Sequence, residues 1–324
     1  MRVLLIGLGR WGEKHLRVLT ELGVELWVAD LAEERRAFAV KAGVAPARAV
    51  ADYRAALPHV DAVDLVTPAD SHLAVAGACL RAGRHCFVEK PLTLTLAQGR
   101  ELADLVCATG RVLQVGHIFR FHPVTEALRE RLASGEVGPV RYATGRFAGF
   151  KRPRTDVGVT QTDAIHYFDL FAYLLGAAPT AVTATLRDHL GRGMDDLSFS
   201  AVEYGAVSAF VEAGYFAPGT YRDCVIVGER ATLAADFGSS EVAVHENRHV
   251  AGEGGWQAPE GRIQSFKATG AEPLRRELEL FLAAARDGSA PPVDVAAGLT
   301  ALAVAEAAQR SSTLGRRVTL AELV

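Results

Sequence analysis

Lysine is scarce in this chain. Only Lys14, Lys41, Lys90, Lys151 and Lys267 are present, and arginine supplies the other basic groups. Composition alone can produce that bias, but a lysine at a special position stands out against it. Cysteine is also sparse. Cys79, Cys86, Cys107 and Cys224 contain no C-x-x-C pair, so no zinc spacing is present, no metal site is expected, and reduced thiols are the simplest reading. No apolar run is long enough to cross a bilayer. No leader segment precedes the first apolar run, so a cytoplasmic protein is expected. The net charge of −3 gives no bulk electrostatic case for nucleic acid or an anionic membrane as partner. No internal repeat is visible. What remains is ordinary globular composition, with 324 residues, 49% hydrophobic and 23% charged, enough for two domains.

The most informative segment lies at the start. Val3-Leu4-Leu5-Ile6 runs into Gly7-Leu8-Gly9-Arg10-Trp11-Gly12, an apolar strand followed by G-x-G-x-x-G. Gly7 allows a tight turn, Gly9 lets a pyrophosphate approach the backbone, and Gly12 lets helix and strand pack closely. A second apolar run, Val24 to Ala29, closes on Asp30. An acidic residue there suits the 2′-hydroxyl of an adenosine ribose and favours NAD over NADP. Arg35 and Arg36 on the next helix would reverse that preference if they turned toward the ribose.

The first third alternates strand and helix, which predicts a parallel, doubly wound sheet. Strands are expected at Asp61–Val66, His85–Val88 and Val112–Val115. Helices are expected at Ala32–Ala42, Leu73–Ala82 with Ser71 as N-cap, and from Thr95, as N-cap, to Thr109. From about residue 121 the pattern changes. Helices are expected near Pro123–Ser134 and Thr162–Leu175, with a long strand at Val140–Phe150. Strand-like runs follow at Ala181–Leu186, Leu197–Glu203, Val207–Ala213, Asp223–Val227 and Thr232–Asp236. Consecutive strands with short turns indicate a meander. Gly252–Arg262 reads as a loop, and two helices, Pro273–Asp287 and Val295–Ser311, close the chain. The expected architecture is an α/β Rossmann dinucleotide-binding domain over residues 1–120. Residues 121–324 are expected to form an α+β domain with a large, mainly antiparallel open sheet for substrate binding and oligomerisation.

Three further motifs carry chemistry. Glu89-Lys90-Pro91 ends a predicted strand, where ligands of doubly wound sheets bind. Lys90 is therefore expected at the nicotinamide and substrate, and the X-Pro bond after it suits a cis turn. Thr67-Pro68-Ala69-Asp70-Ser71-His72 ends another strand. Thr67, Pro68 and His72 are read as lining the cofactor crevice, with a solvated His72 beyond a helix cap as the alternative. The third motif is Thr162-Asp163-Ala164-Ile165-His166-Tyr167-Phe168-Asp169. On a regular helix Thr162, His166 and Asp169 share one stripe, Asp163 lies beside it, and the other faces are apolar. A histidine among such groups is a candidate general acid and base. The run Lys151-Arg152-Pro153-Arg154 reads either as a solvated loop or as a fork for a diphosphate or carboxylate.

Taken together, these motifs resemble the Gfo/Idh/MocA family of NAD(P)-dependent oxidoreductases. The group includes glucose–fructose oxidoreductase, inositol dehydrogenases and several sugar-nucleotide dehydrogenases. The resemblance rests on the glycine motif, the Thr67-Pro68 to His72 segment, Glu89-Lys90-Pro91, and Gly116-His117 through Arg120-Phe121-His122-Pro123. It extends through the Asp163/His166/Asp169 helix to Ser311-Ser312-Thr313-Leu314-Gly315-Arg316-Arg317-Val318, and spans nearly the whole chain. It implies catalytic roles for Lys90 and His166, with Asp163 as their supporting carboxylate. It implies cofactor contacts at Gly7, Gly9, Arg10, Trp11, Gly12, Asp30, Thr67, Pro68, His72, Glu89 and Lys90. Substrate contacts are implied at Lys90, Arg120, Lys151, Thr162, Asp163 and His166. A homo-oligomer, dimer or tetramer, assembled through the second-domain sheet is implied too.

In one place the chain departs from the family. The family carries an aspartate four residues before the histidine and a glycine run before that. Here Thr162 holds that position, Asp163 is three before His166, and the run is reduced to Val157-Gly158-Val159. The support role therefore belongs to Asp163 or to Thr162. The segment 116–123 most resembles the sugar-nucleotide members, so a UDP-amino-sugar 3-dehydrogenase is the first expectation. The alternatives are a non-catalytic NAD-binding regulator and a dehydrogenase for a non-sugar carbonyl.

Overall fold

The computed structural model describes residues 1–323. The chain divides into two compact units. Unit 1 comprises Met1–Ile118 and Glu272–Leu302, and unit 2 comprises Phe119–Ala271 and the chain from Ala303 onward. The division expected at 120/121 thus needs a correction. The chain returns to unit 1 at Glu272, because the helix Pro273–Asp287 buries Leu274, Leu278, Phe281 and Leu282 in the same core as Val3, Leu5 and Phe87. No composition shift marks that return.

Unit 1 contains β1 (Arg2–Ile6), α1 (Gly12–Glu21), β2 (Glu25–Ala29), α2 (Glu33–Lys41), β3 (Ala49–Val50) and β4 (Ala62–Leu65). After these come α3 (His72–Arg81), β5 (His85–Glu89), α4 (Leu96–Thr109) and β6 (Leu113–Gly116). The strands form one parallel sheet in the order β3-β2-β1-β4-β5-β6. That order reverses at β1 and β4, the crevice where doubly wound sheets bind dinucleotides. Strands covered on both faces read as apolar runs, and β4 is wholly buried, including the charged Asp64. Thr95 caps α4 as expected, accepting from the Gln98 amide at 3.3 Å. Ser71 does not cap α3: its hydroxyl bonds Thr67 Oγ1 and donates to the Pro68 carbonyl, within a 3₁₀ turn at Ala69–Ser71.

Unit 2 contains α5 (Pro123–Ala133), β7 (Val140–Gly149), α6 (Ile165–Leu175), β8 (Pro179–Arg187), β9 (Leu197–Tyr204), β10 (Val207–Gly214) and β11 (Thr220–Gly228). It continues with β12 (Thr232–Asp236), β13 (Glu241–His245), β14 (Val250–Gly252), β15 (Gly255–Gln257), β16 (Ile263–Lys267) and β17 (Val318–Thr319). Nine strands form a sheet in the order β16-β13-β12-β11-β7-β10-β9-β8-β17, antiparallel except where β7 pairs β10. β7 is central and packs against α6. At Gly145 a β-carbon would stand 2.5 Å from the Tyr167 ring, and the Tyr167 hydroxyl donates to the Arg146 and Asp223 carbonyls. The sequence reading missed β13 and β16. The expected loop at 252–262 begins inside a small hairpin of β14 and β15, which bury little.

Candidate functional site

Unit 1 carries a dinucleotide cradle. Gly7 has φ +95°, and a β-carbon there would meet the Val66 carbonyl at 2.8 Å. At Gly12 a β-carbon would stand 2.1 Å from Gly7 O, so only glycine lets α1 start this close to the turn. Around Gly9 the space is open. No side chain caps α1, which leaves its N-terminal amides and dipole to an anion. Asp30 closes the cradle and is itself fixed, its carboxylate accepting from the Leu8 amide at 2.7 Å and the Ala32 amide at 2.9 Å. Arg35 pairs with Glu13, and Arg36 donates to the Asp30 and Leu31 carbonyls. These residues fit the adenosine and pyrophosphate of a dinucleotide.

Beyond β5, the Lys90–Pro91 bond is cis. Glu89 is held from several sides. Its Oε1 accepts from Trp11 Nε1 at 2.7 Å, its Oε2 accepts from the Lys90 amide at 3.1 Å, and His15 Nε2 lies 3.3 Å away. Gly116, paired with Glu89 across β5 and β6, makes room for it: a β-carbon there would stand 2.9 Å from Oε1. His72 is buried rather than solvated, its ring nitrogens lying 2.9 Å from the Pro91 carbonyl and 3.0 Å from the Thr67 carbonyl. Burial lowers its pKa, and a neutral ring donates to only one of those carbonyls. His72 therefore lies between the Thr67 turn and the Pro91 turn and donates to one of them.

Unit 2 carries the second group of candidates. The expected helix from Thr162 begins instead with a π-turn, Thr160–Ala164, before α6. Such turns shift side-chain register and recur at functional sites. Asp195 anchors the turn. Its carboxylate accepts from the Thr160 amide at 2.8 Å and the Thr160 hydroxyl at 2.6 Å, and its carbonyl accepts from the Val159 amide. Burial raises the Asp195 pKa against those bonds. The polar residues of this segment meet separate partners. Asp163 meets Lys151 Nζ at 2.6 Å, and Thr162 shares a hydrogen bond with the Tyr215 hydroxyl at 3.1 Å. Asp169 receives Arg120 through Nε at 2.8 Å and Nη2 at 2.6 Å.

His166 is 7% exposed and lies in an aromatic cluster. Its ring centre is 4.7 Å from Phe119 and 5.3 Å from Phe147, nearly parallel to both, and Phe119 stacks on Phe237 at 4.5 Å. Phe147 is also met by Lys151 Nζ at 4.6 Å and the Arg222 guanidinium at 3.4 Å. His166, Lys151 and Arg222 thus share one ring, and Lys151 brings Asp163 to it. Burial lowers the Lys151 pKa, opposed by Asp163 and reinforced by Arg222 and Arg154. Burial lowers Arg222 as well. A half-buried cationic surface beside an imidazole can receive a hydroxyl and an anionic group together.

Several of these residues were not singled out from the sequence. Asp64 is a charge in the middle of an apolar strand, a signal that a buried polar partner exists. His15 lies three residues past Gly12, on the buried face of α1. The cluster of Phe119, Phe147, Phe237, Asp195 and Arg222 comes together only through tertiary contacts.

Comparison with known proteins agrees with this fold. The Gfo/Idh/MocA oxidoreductase family model with an NAD-binding Rossmann fold matches residues 1–117, and that family's C-terminal α/β domain matches residues 129–320. The chain belongs to this family of NAD-binding oxidoreductases. It is 36% identical over 184 residues to a UDP-N-acetylglucosamine 3-dehydrogenase of Acidithiobacillus ferrooxidans, an alignment covering 57% of either chain. It is 29% identical over 345 residues, 98% of both chains, to an inositol 2-dehydrogenase of Rhizobium meliloti. The solved structure of the Acidithiobacillus enzyme superposes with TM-score 0.83 at 27% identity, covering 96% of this chain and 97% of the other. Levoglucosan dehydrogenase in complex with NADH and levoglucosan shares the fold, with TM-score 0.84 at 20% identity over 99% of each. Among the described residues no helix is long and apolar enough to cross a membrane.

Proposed function

We propose that the protein is a cytoplasmic, NAD-dependent dehydrogenase that oxidises a secondary alcohol of a sugar-type substrate. The 3-hydroxyl of a UDP-amino sugar is the first candidate. The observation that carries the reading is the buried His166 packed on Phe147, with the Lys151–Asp163 pair and Arg222 on the same ring. In this reading His166 takes the hydroxyl proton as the carbon gives up hydride, and Lys90 stabilises the charge developing on the oxygen. NAD, when bound, supplies the hydride acceptor. Gly7, Gly9, Arg10, Trp11 and Gly12 hold the pyrophosphate, Asp30 the ribose, and Thr67, Pro68 and His72 shape the wall beside them. Asp163 holds Lys151, and Thr162 with Tyr215 orients a substrate hydroxyl. Arg120 supports α6 through Asp169. Lys151 and Arg222 receive an anionic substituent, which favours a nucleotide sugar over a neutral cyclitol.

The nine-stranded sheet supports assembly with a second copy. Phe199 and Phe210 are 49% and 50% exposed on neighbouring strands, and a row of Glu212, Arg146 and Asp223 leads away from Phe199 across β10, β7 and β11. An apolar patch of this kind, flanked by self-complementary charge, suits an isologous interface.

The test is NADH formation with NAD and a panel of UDP-N-acetylglucosamine, UDP-glucose, myo-inositol and free N-acetylglucosamine. The expected result is a kcat/KM for UDP-N-acetylglucosamine at least tenfold above that for the neutral compounds. His166→Ala should lower it by about a hundredfold or more. Turnover of myo-inositol alone would overturn the substrate class. Tight NAD binding with no turnover of any alcohol would favour the regulator reading.

A further inference from the structure

His15 is wholly buried, and so is Asp64. His15 Nδ1 lies 2.8 Å from Asp64 Oδ2, and Nε2 faces Glu89 Oε1 at 3.3 Å. Trp11 packs edge-on to one side of the imidazole, with ring centres 5.9 Å apart, and Phe87 to the other at 5.8 Å. The charged groups around His15 are Asp64 from β4 and Glu89 from β5, with Lys90 beyond Glu89 and Lys14 over the Trp11 ring. Burial alone pulls the His15 pKa down, but Asp64 and Glu89 outweigh it and hold it at about 10. A carboxylate as enclosed as Glu89 needs a partner. The imidazolium supplies one at Oε1, which it shares with the Trp11 indole, while Oε2 accepts from the Lys90 amide.

We infer that His15 is a positioning residue that joins the two working ends of unit 1. By fixing Glu89 it sets the backbone at Lys90 and the indole of the glycine loop together. Gly116 belongs to the same device, since any side chain there would displace the carboxylate. Without the imidazolium, Glu89 either takes a proton or turns away, and Lys90 and Trp11 both lose an anchor. The role of Lys90 in turnover rests on the proposed function, whereas the indole anchor does not.

Two measurements test the inference separately. The first is steady-state kinetics of His15→Gln, Glu89→Gln and the double variant, with the substrate found in the panel. His15→Gln should lower kcat about tenfold to a hundredfold with substrate KM within threefold, the pattern of a lost transition-state contact. Because both residues act through one carboxylate, the double variant should fall no more than twofold below the worse single. Effects that multiply, or a His15→Gln kcat within twofold of wild type, would overturn the inference. If His15→Gln does not fold, Asp64→Asn should show the same pattern at about threefold to tenfold. The second measurement needs no substrate. In a Trp27→Phe, Trp256→Phe background, Trp11 emission is quenched by the adjacent imidazolium. His15→Gln should brighten it at least twofold, and Glu89→Leu, which removes the acceptor, should red-shift it as the indole is released. Unchanged emission in both would overturn the anchoring of Trp11 even if no alcohol is ever turned over.

Discussion

Gly158 and Asp195 occupy one another's space. A β-carbon on Gly158 would stand 1.8 Å from Asp195 Oδ1, the carboxylate whose other oxygen holds the start of the π-turn. The single glycine left in Val157-Gly158-Val159 is therefore the one that the anchor requires. Gly158→Ala should cost about 2–4 kcal/mol, because it forces a half-buried acceptor off its donors. Asp195→Ala should cost about 1–2 kcal/mol, the loss of a cap. Urea unfolding of both and of the double variant checks this: the double should be no less stable than Gly158→Ala alone.

Lys151 and Asp163 should prove unequal partners. The Asp163 side chain is 8% exposed and that of Lys151 31%. Lys151→Met leaves a buried carboxylate unmatched and should cost about 1–3 kcal/mol, discounted for the exposure of the lysine. Adding Asp163→Asn should restore part of that loss. In catalysis the two should act with opposite sign on His166. Asp163→Asn leaves an unbalanced cation and should move the acid limb of the pH–rate profile to lower pH, while Lys151→Met should move it higher. Profiles that move together would remove Lys151 from the neighbourhood of the base.

His15 makes a prediction about pH and stability. Its folded pKa, about 10, lies above the ordinary value of 6.5, so the folded state keeps a proton that the unfolded chain releases. This contribution is complete below pH 6.5 and declines as pH rises through about 10. Where only the folded state is protonated the slope is up to about 1.4 kcal/mol per pH unit. Unfolding free energies of wild type and His15→Gln should converge steadily between pH 7 and pH 10. A difference that stays constant over that window would refute the linkage.

Asp30 and the two arginines after it should set the cofactor preference. Arg35 and Arg36 are engaged by Glu13 and by backbone carbonyls, and Asp30 is held by two amides. Titration calorimetry should show NADH bound at least tenfold more tightly than NADPH. Asp30→Ala should narrow that gap and weaken NADH, in part by loosening Leu8. Tighter binding of NADPH to the wild type would refute the assignment.

The exposed sheet face should govern assembly. Phe199→Glu with Phe210→Glu places charge where the proposed second copy packs, and should yield monomers by sedimentation without changing the Tm by more than a few degrees. A wild type that sediments as a monomer at micromolar concentration would remove the interface.

Much of unit 1 was legible in the sequence because its cues are local. Glycines with demanding backbone geometry, apolar strands and an acidic residue at a strand end follow one another within 30 residues. Unit 2 was legible as strands and helices, but its sheet order was not, since pairing among nine strands depends on distant partners. The helix bearing His166 shows the limit most clearly. A regular periodicity places Thr162, His166 and Asp169 on one stripe. The segment instead opens on a π-turn anchored by Asp195 that carries Thr162 to Tyr215 and Asp163 to Lys151, while Asp169, in the regular helix, pairs with Arg120. Asp195 lies more than 30 residues from Thr160, so no local pattern announces it.

The placement of β7 also bears on how unit 2 is made. β8, β9 and β10 follow one another and pair in turn, as do β11, β12 and β13. β10 and β11 are consecutive yet never meet, because β7 lies between them. The sheet is therefore two meanders joined along a strand synthesised before either. Each meander closes short loops, whereas the seam requires β7 to wait for partners 66 to 88 residues downstream. Loop-closure entropy makes that seam slower to close than either meander. Until the seam closes, both long edges of β7 stand open to pairing with another chain, so productive folding of this unit is a race between its own later strands and those of its neighbours.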